Sequence, residues 1–136
     1  MSAFLDTNIL VRHFAGDPPG LAARATRYLA DSGDLMWADV IVAETVYVLE
    51  SFYEVKRPQV ADMLRAALAF PAIQVVDQEL VLRAVELYEV ERIDFAEAYL
   101  VASAERSDIR AVASFDHSID RVKTVRRIEP PHLRRR

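Results

Sequence analysis

The chain of 136 residues contains no cysteine, which excludes disulfide bonds, thiolate metal ligands and cysteine nucleophiles. Only three glycines occur and 52% of the residues are hydrophobic, a composition that excludes a disordered or low-complexity chain. No apolar stretch reaches the ~18 residues that a membrane span needs, and no signal-peptide pattern is visible. We therefore expect one folded domain in the cytoplasm, without membrane contact.

Lysine is also scarce, so positive charge is carried almost entirely by arginine. Of the 17 basic residues, only Lys56 and Lys123 are lysines. The arginine side chain offers a rigid fork of donors that matches phosphate geometry, but it serves equally well in surface ion pairs. The formal net charge is −4, so overall charge does not indicate a nucleic-acid-binding protein. Composition alone leaves RNA binding open.

Short apolar segments alternate with segments of helical periodicity along the chain, and no repeat or linker interrupts them. Strands are expected at residues 3–5, 35–38, 72–77, 111–115 and 125–130. Helices are expected between them, first from the end of strand one to the break at 16–20, then at 21–29, 39–53 (with Asp39 as cap), 57–70, 78–90 and 93–107. Strands that alternate with helices favour a parallel sheet covered on both faces, so the predicted fold is a single α/β domain.

Carboxylates occur at four separate points where a strand should end or a helix should begin. They are Asp6, Glu44, Asp94 with Glu97, and Asp116. Ligands of open parallel sheets bind beyond the carboxyl ends of the strands, so Asp6 and Asp116 share one crevice if their strands are neighbours. Ionised groups near a core must be paired or must hold a cation. Gathered together, these side chains would form an all-oxygen pocket suited to Mg²⁺ or Mn²⁺, and hence to phosphodiester chemistry.

Three of these acids also have a purely structural explanation at helix starts. Asp94 and Glu97 together spell a capping box, D-x-x-E before an apolar run, and that motif alone accounts for both. Asp6 can simply cap the first helix. These explanations compete with metal binding at each position, but metal binding accounts for all positions at once.

The other two acids have alternatives of a different kind. Glu44 lies within an apolar run, where a partner arginine would explain it. Asp116 can be a turn residue, and Asp120, four positions on, competes with it as the fourth acid. No general base is evident, because His117 beside Asp116 is typical of a polar surface histidine.

These segments resemble PIN-domain ribonucleases over essentially the whole chain and, more narrowly, the VapC toxins of bacterial toxin–antitoxin pairs. The most specific part is FLDTNILVRHFAGDPPGLAARA at 4–25, where a strand, Asp-Thr-Asn and a helix follow one another. VIVAETVYVLESFYEVKR at 40–57 places Glu44 at the family's glutamate. DFAEAYLVASAE at 94–105 resembles the third motif, and VASFDHSIDRV at 112–122 the fourth.

Two positions depart from the family pattern. Glu97 stands where the family usually has aspartate, so its carboxylate reaches one methylene further, and Asp94 can supply part of that role. Ser114 replaces the more common threonine and keeps the hydroxyl group.

The resemblance implies a PIN-like domain over residues 1–130 with a parallel sheet of four to five strands, order 3-2-1-4-5, flanked by helices. A basic C-terminal tail follows at 131–136. The implied activity is that of a Mg²⁺-dependent (or Mn²⁺-dependent) endoribonuclease that leaves 5′-phosphate and 3′-hydroxyl ends. The implied partners are an RNA substrate and a small DNA-binding antitoxin of the VapB type. A homodimer, or a hetero-oligomer with the antitoxin, is expected, and the apolar segment 46–55 is a candidate contact surface.

The resemblance also assigns roles to individual residues. Asp6, Glu97 and Asp116 are the implied direct metal ligands and Asp94 is an auxiliary ligand. Glu44 would bind through water or orient the nucleophile. The residues implied to position the carboxylates or the scissile phosphate are Thr7, Asn8 and Ser114. Independently of the resemblance, Arg12 on the first helix is a candidate either to contact RNA phosphate or to pair with the acids.

Three other classes of protein fit the sequence less well. A haloacid-dehalogenase phosphatase needs a second aspartate two residues after the first, where this chain has Asn8. A response-regulator receiver needs a lysine at a strand end, and neither lysine is so placed. The remaining alternative is a catalytically weak PIN-like module that acts mainly by binding a partner protein. The presence of all four acidic positions disfavours it.

Overall fold

The computed structural model describes residues 2–134, in which short strands and helices alternate. The strands are β1 (Ala3–Phe4), β2 (Leu35–Met36), β3 (Ile73–Gln74), β4 (Ala111–Ala113) and β5 (Arg126–Ile128). The helices are α1 (Thr7–Ala15), α2 (Pro19–Asp31), α3 (Asp39–Ser51), α4 (Arg57–Leu68), α5 (Gln78–Val90), α6 (Phe95–Glu105) and a 3-10 helix (His117–Arg121). The predicted α/β class is confirmed.

All of the strands pair in parallel, but as two sheets. The first has the order β1-β2-β3, with Ala3 opposite Leu35 and Leu35 opposite Ile73. The second pairs β4 with β5. The order 3-2-1 and the adjacency of strands 4 and 5 are as predicted. Within residues 2–134 no backbone ladder joins β1 to β4, because strands of two or three residues leave few backbone groups to pair with a further neighbour.

Helix boundaries follow local chemistry. Gly16 adopts the left-handed conformation (φ 67°) and ends α1, its N–H donating to the carbonyl of Arg12. Asp77 caps α5 by accepting a hydrogen bond from the Leu80 N–H at 3.1 Å, so the predicted helix 78–90 is found with both ends as expected. The prediction that Asp39 caps α3 is wrong: the N-cap position is Ala38, and Asp39 is the first helical residue.

The core lies where the helices pack over the short strands, and it determines which helix starts are neighbours. Fully buried Trp37, Tyr88, Leu64 and Ile93 are among its largest side chains. Helix α5 packs against α4 and α6, α1 packs against α2 and α3, and α3 also contacts α6. Helix α3, which carries Glu44, therefore contacts both α1, which begins after Asp6, and α6, whose first turn carries Glu97.

The remaining predictions about the chain's ends and surroundings are only partly covered by the described residues. Residues 131–134 have no regular secondary structure and are exposed, whereas Arg135 and Arg136 of the predicted basic tail lie outside the described residues. Within the described part of the chain, no helix is both long enough and apolar enough to cross a bilayer.

Candidate active site

Asp94 occupies the N-cap position of α6, yet its side chain makes no capping hydrogen bond. A capping box requires that bond, so the structural explanation of Asp94 and Glu97 does not hold in this structure. The Asp94 carboxylate is exposed at the start of the helix, one turn before Glu97. Within the described residues, the Asp94 carboxylate therefore does not cap the helix.

Glu97 is a partly buried acid whose carboxyl pKa is raised in the folded protein. The side chain is half-buried, and its Oε2 atom is buried without a hydrogen-bond partner in the described residues. Burial raises the pKa of the Glu97 carboxyl above its usual range, and the nearby charges of Asp116 and Asp94 raise it further. Three of the five predicted acids, Asp94, Glu97 and Asp116, are thus close enough for their charges to interact.

Asp116, and not Asp120, is the acid that interacts with Glu97. Both carboxylate oxygens of Asp120 accept hydrogen bonds from Arg127, at 3.0 and 3.2 Å, so its charge is already paired. Asp116 also has the predicted turn role, because its Oδ1 accepts from the Ser118 N–H at 2.9 Å. The hydrogen bond to Ser118 lowers the pKa of Asp116, which keeps this carboxylate ionised next to Glu97.

Ser114 holds the backbone at Asp116 in place. Its Oγ accepts a hydrogen bond from the Asp116 N–H at 2.9 Å, and its predicted role in positioning the carboxylates or the scissile phosphate stays a prediction. The guanidinium of Arg127 donates to the Ser114 carbonyl at 2.9 Å and fixes the same turn from the other side.

Asp6 and Thr7 lie where β1 runs into α1. Asp6 is the exposed N-cap residue, and its Oδ1 accepts a hydrogen bond from the Thr7 N–H at 2.9 Å, so its predicted capping role is real. The Thr7 side chain is buried, and its Oγ1 has no partner among the described residues. Asn8 is exposed on the first turn of α1. A buried hydroxyl group without a hydrogen-bond partner lowers the stability of the fold, unless a bound ligand supplies the partner.

Glu44 lies exposed on α3, one turn into the helix. Among residues 2–134 no arginine forms an ion pair with it, so the partner arginine that would explain it structurally is not found. Its helix contacts both α1 and α6. Glu44 therefore lies on the element that separates Asp6 from Glu97.

No three acidic or histidine side chains of residues 2–134 converge tightly enough to constitute a complete metal-binding cluster. Asp94, Glu97 and Asp116 interact electrostatically, whereas Asp6 and Glu44 are linked to them only through the packing of α1, α3 and α6. The donor set still fits a hard divalent cation, because it consists of carboxylates and includes an unpartnered buried oxygen on Glu97. That all five acids form one metal-binding pocket stays a prediction.

A comparison with protein families matches the PIN domain to residues 3–125. The chain belongs to the PIN domain family. PIN domains are generally metal-dependent nucleases that use a divalent cation. The matched segment contains every acid discussed above, from Asp6 to Asp116. No curated protein sequence matches the chain.

Two of the three histidines of this PIN domain have structural contacts. The His13 Nδ1 atom lies 2.7 Å from the Thr26 Oγ1 atom, and burial lowers the pKa of His13. His117 is exposed, with its Nδ1 atom 3.0 Å from Arg127 Nη2, which agrees with its interpretation as a polar surface residue.

Arg57 is a residue of the site region that sequence reasoning missed. One of its guanidinium nitrogens donates to the carbonyls of Tyr88 and Ile93, at 2.8 and 2.7 Å, and the guanidinium lies 4.4 Å from the centre of the Tyr88 ring. Arg57 thereby clamps the segment that leads into Asp94. Arg57 is the first residue of α4, where a positive charge interacts unfavourably with the helix dipole. This unfavourable placement is the sequence feature that could have indicated another role for Arg57.

Tyr99 connects α6 to α3 within the PIN domain. Its hydroxyl group donates to the Asp39 carboxylate, and this hydrogen bond is the main cause that raises the pKa of Tyr99 to about 12. The bond joins the helix that carries Glu97 to the helix that carries Glu44. The position of Asp39 in the first turn of α3 was visible in the sequence, but its partner was not.

We expect Tyr99→Phe to lower the free energy of unfolding by about 1 kcal/mol, because it leaves the Asp39 carboxylate without its donor. Urea denaturation measures this. Tyr47→Phe is the matched control, since Tyr47 is exposed on α3, and its stability should be unchanged. Equal effects of the two substitutions would contradict a structural role for the Tyr99–Asp39 bond.

Proposed function

We propose that this PIN domain is a Mg²⁺-dependent or Mn²⁺-dependent endoribonuclease that hydrolyses phosphodiester bonds of RNA. The observation that supports the proposal most strongly is Glu97, whose buried oxygen has no hydrogen-bond partner among residues 2–134 and whose pKa is raised by burial and by the charges of Asp116 and Asp94. Placing three carboxyl groups near one another, none of them in an ion pair within residues 2–134, costs stability unless a cation binds them. Membership in a family of metal-dependent nucleases supplies the reaction class.

Each acid has a distinct proposed role. Asp6, Glu97 and Asp116 would hold the cation, with Asp94 as an auxiliary ligand. The bound cation would supply charge neutralisation at the phosphoryl group and activation of water. Glu44 is exposed and unpaired in the described residues, so its carboxylate is free to orient the attacking water by accepting a hydrogen bond. The Ser114 hydroxyl, which accepts a hydrogen bond from the Asp116 N–H, would help to position the Asp116 carboxylate for the cation.

We further propose that the enzyme is the VapC-type toxin of a toxin–antitoxin pair that acts in the cytoplasm. The proposed surface for the partner protein is the segment 46–55, in which the large apolar side chains of Tyr47 and Phe52 are 68% and 77% exposed. The proposed partner is a small DNA-binding antitoxin of the VapB type, with which the toxin would form a hetero-oligomer, or a homodimer alone. Growth arrest on expression, relieved by a small protein encoded alongside, would support this role.

We expect the purified, antitoxin-free protein to cleave RNA with Mg²⁺ or Mn²⁺. Asp6→Asn should lower the rate about 100-fold or more, because it removes a charged ligand from the cation site. Gel analysis of RNA incubated with each protein measures the rate. Asp108→Asn, an exposed acid in the loop before β4, is the charge-matched control and should cleave like the wild type. Cleavage at an equal rate in EDTA, or by Asp6→Asn, would refute the proposal.

A further inference from the structure

A cavity of about 480 Å³ lies between α1 and α2, next to the start of α1. Its walls include Asn8, Arg12, Leu21, Arg24 and Tyr28. The volume falls within the range of about 300–1,000 Å³ that is typical of small-ligand sites. Asn8 lies two residues after Asp6, so the cavity lies beside the start of the helix that Asp6 caps.

The two arginines of this cavity have no carboxylate partner within residues 2–134. Arg24 makes no ion pair there, and Arg12 donates only to the Asp17 carbonyl, at 3.3 Å. By contrast Arg27, on the same helix as Arg24, pairs with Asp31 at 3.5 Å. In a chain with net charge −4, two guanidinium groups without a carboxylate partner in the described residues line one cavity, which favours an anionic ligand there.

The remainder of the lining is apolar and aromatic. Leu21 and Tyr28 are exposed to 43% and 44%, so the edge of the cavity presents an aliphatic surface and a phenol ring to solvent. Sites for single-stranded nucleic acid combine positive charge along the backbone with an aromatic side chain on which a base stacks. The cavity combines both elements within a few residues of the acids.

We propose that this cavity is a nucleotide subsite for single-stranded RNA, in which Arg12 and Arg24 contact phosphate and a base stacks on Tyr28. The subsite rests on the proposed ribonuclease function, because it binds the nucleotide next to the cleaved bond. The two guanidinium groups favour this occupant over an apolar peptide, because phosphate oxygens accept charge-assisted hydrogen bonds from arginine and apolar side chains do not.

Binding of a fluorescein-labelled single-stranded RNA of roughly 12 nucleotides, followed by anisotropy in EDTA so that it is not cut, tests the subsite. Arg24→Gln should raise Kd about tenfold and lower the slope of log K against log salt by about 0.7. Tyr28→Ala should raise Kd by about 5-fold to 50-fold, whereas Tyr28→Phe, which keeps the ring, should stay within about twofold. Arg27→Gln is the control for lost charge on the same helix and should change Kd little.

Thermal melts of all four variants confirm folding, since the altered side chains are exposed. Equal effects of Arg24→Gln and Arg27→Gln, or an unchanged Kd for Tyr28→Ala, would overturn the subsite. Unchanged RNA affinity with lost binding of a co-encoded protein would also overturn it and would assign the cavity to protein contact.

The same proteins separate this proposal from the proposed function. RNA binding that depends on Arg24 and Tyr28, without any cleavage in Mg²⁺ or Mn²⁺, would support the subsite and reject the nuclease. Cleavage by Arg24→Gln and Tyr28→Ala with wild-type KM would support the nuclease and reject the subsite. A raised KM with nearly unchanged kcat would support both.

Discussion

Glu97→Gln is expected to abolish RNA cleavage while making the metal-free protein more stable. The rate should fall about 100-fold or more, because an amide is a poorer ligand for a hard cation. The melting temperature at pH 7 in EDTA should rise by about 2–4 °C, since the substitution removes a half-buried charge that faces Asp94 and Asp116. Calorimetry and gel-based cleavage assays of the same protein measure both effects.

The stability gain should depend on pH with a defined sign. The pKa of Glu97 is raised in the folded protein, so the folded state holds its proton to higher pH than the unfolded state does. The wild type therefore loses stability, relative to Glu97→Gln, as pH rises from the unfolded pKa of about 4.3 through the folded pKa. The difference in melting temperature should be largest at neutral pH and shrink toward pH ~4.

Glu50→Gln is the matched control for this experiment. Glu50 is also half-buried, but its carboxylate accepts a hydrogen bond from the Tyr88 hydroxyl group. Its substitution should therefore leave stability unchanged or lower it, and cleavage should persist. A Glu97→Gln protein that is less stable than the wild type at pH 7 in EDTA would show that Glu97 has a structural partner after all.

Arg57→Ala should destabilise the protein by about 2–4 kcal/mol. The substitution leaves the Tyr88 and Ile93 carbonyls without their charged donor and removes the guanidinium from the Tyr88 ring. Cleavage should also fall, because Ile93 directly precedes Asp94. Urea denaturation gives the free energy, and cleavage assays at a temperature where the variant remains folded give the activity.

Arg121→Ala provides the comparison for Arg57→Ala. Arg121 donates to the carbonyls of Glu91 and Arg92 in the same connection, both at 3.1 Å, but it is exposed. Its loss should cost less than about 1 kcal/mol, since water replaces its hydrogen bonds. Similar costs for the two arginines would mean that burial of the Arg57 guanidinium contributes little.

The sequence was sufficient for the helices but not for the extent of the strands. The helix 78–90 was predictable because apolar residues recur at helical spacing up to Val90, whereas its Asp77 cap, assigned from the sequence to the preceding strand, is seen only in the structure. The apolar run 72–77 forms a strand only at Ile73–Gln74, since β-branched residues favour extended backbone without specifying how far a neighbouring strand accompanies them.

The candidate acids were predictable as residue types, but their individual roles were not. Asp116 and Asp120 could be distinguished only once Arg127, on a different strand, was seen to pair with Asp120. Asp94 fits a capping box by spacing, and only the orientation of its side chain shows that the cap is not made. The first distinction depends on an ion pair and the second on the orientation of one side chain, and residue type and spacing specify neither.

The division of the strands into two sheets has a mechanical consequence. Asp6 follows a strand of the first sheet and Asp116 follows a strand of the second, and no backbone ladder in the described part of the chain fixes their separation. That separation depends instead on side chains packed where α3 meets α1 and α6. Substitutions that change the volume of buried residues such as Val42 and Val46 would therefore alter the distance between the two carboxylates. The catalytic rate would then depend strongly on packing in the core.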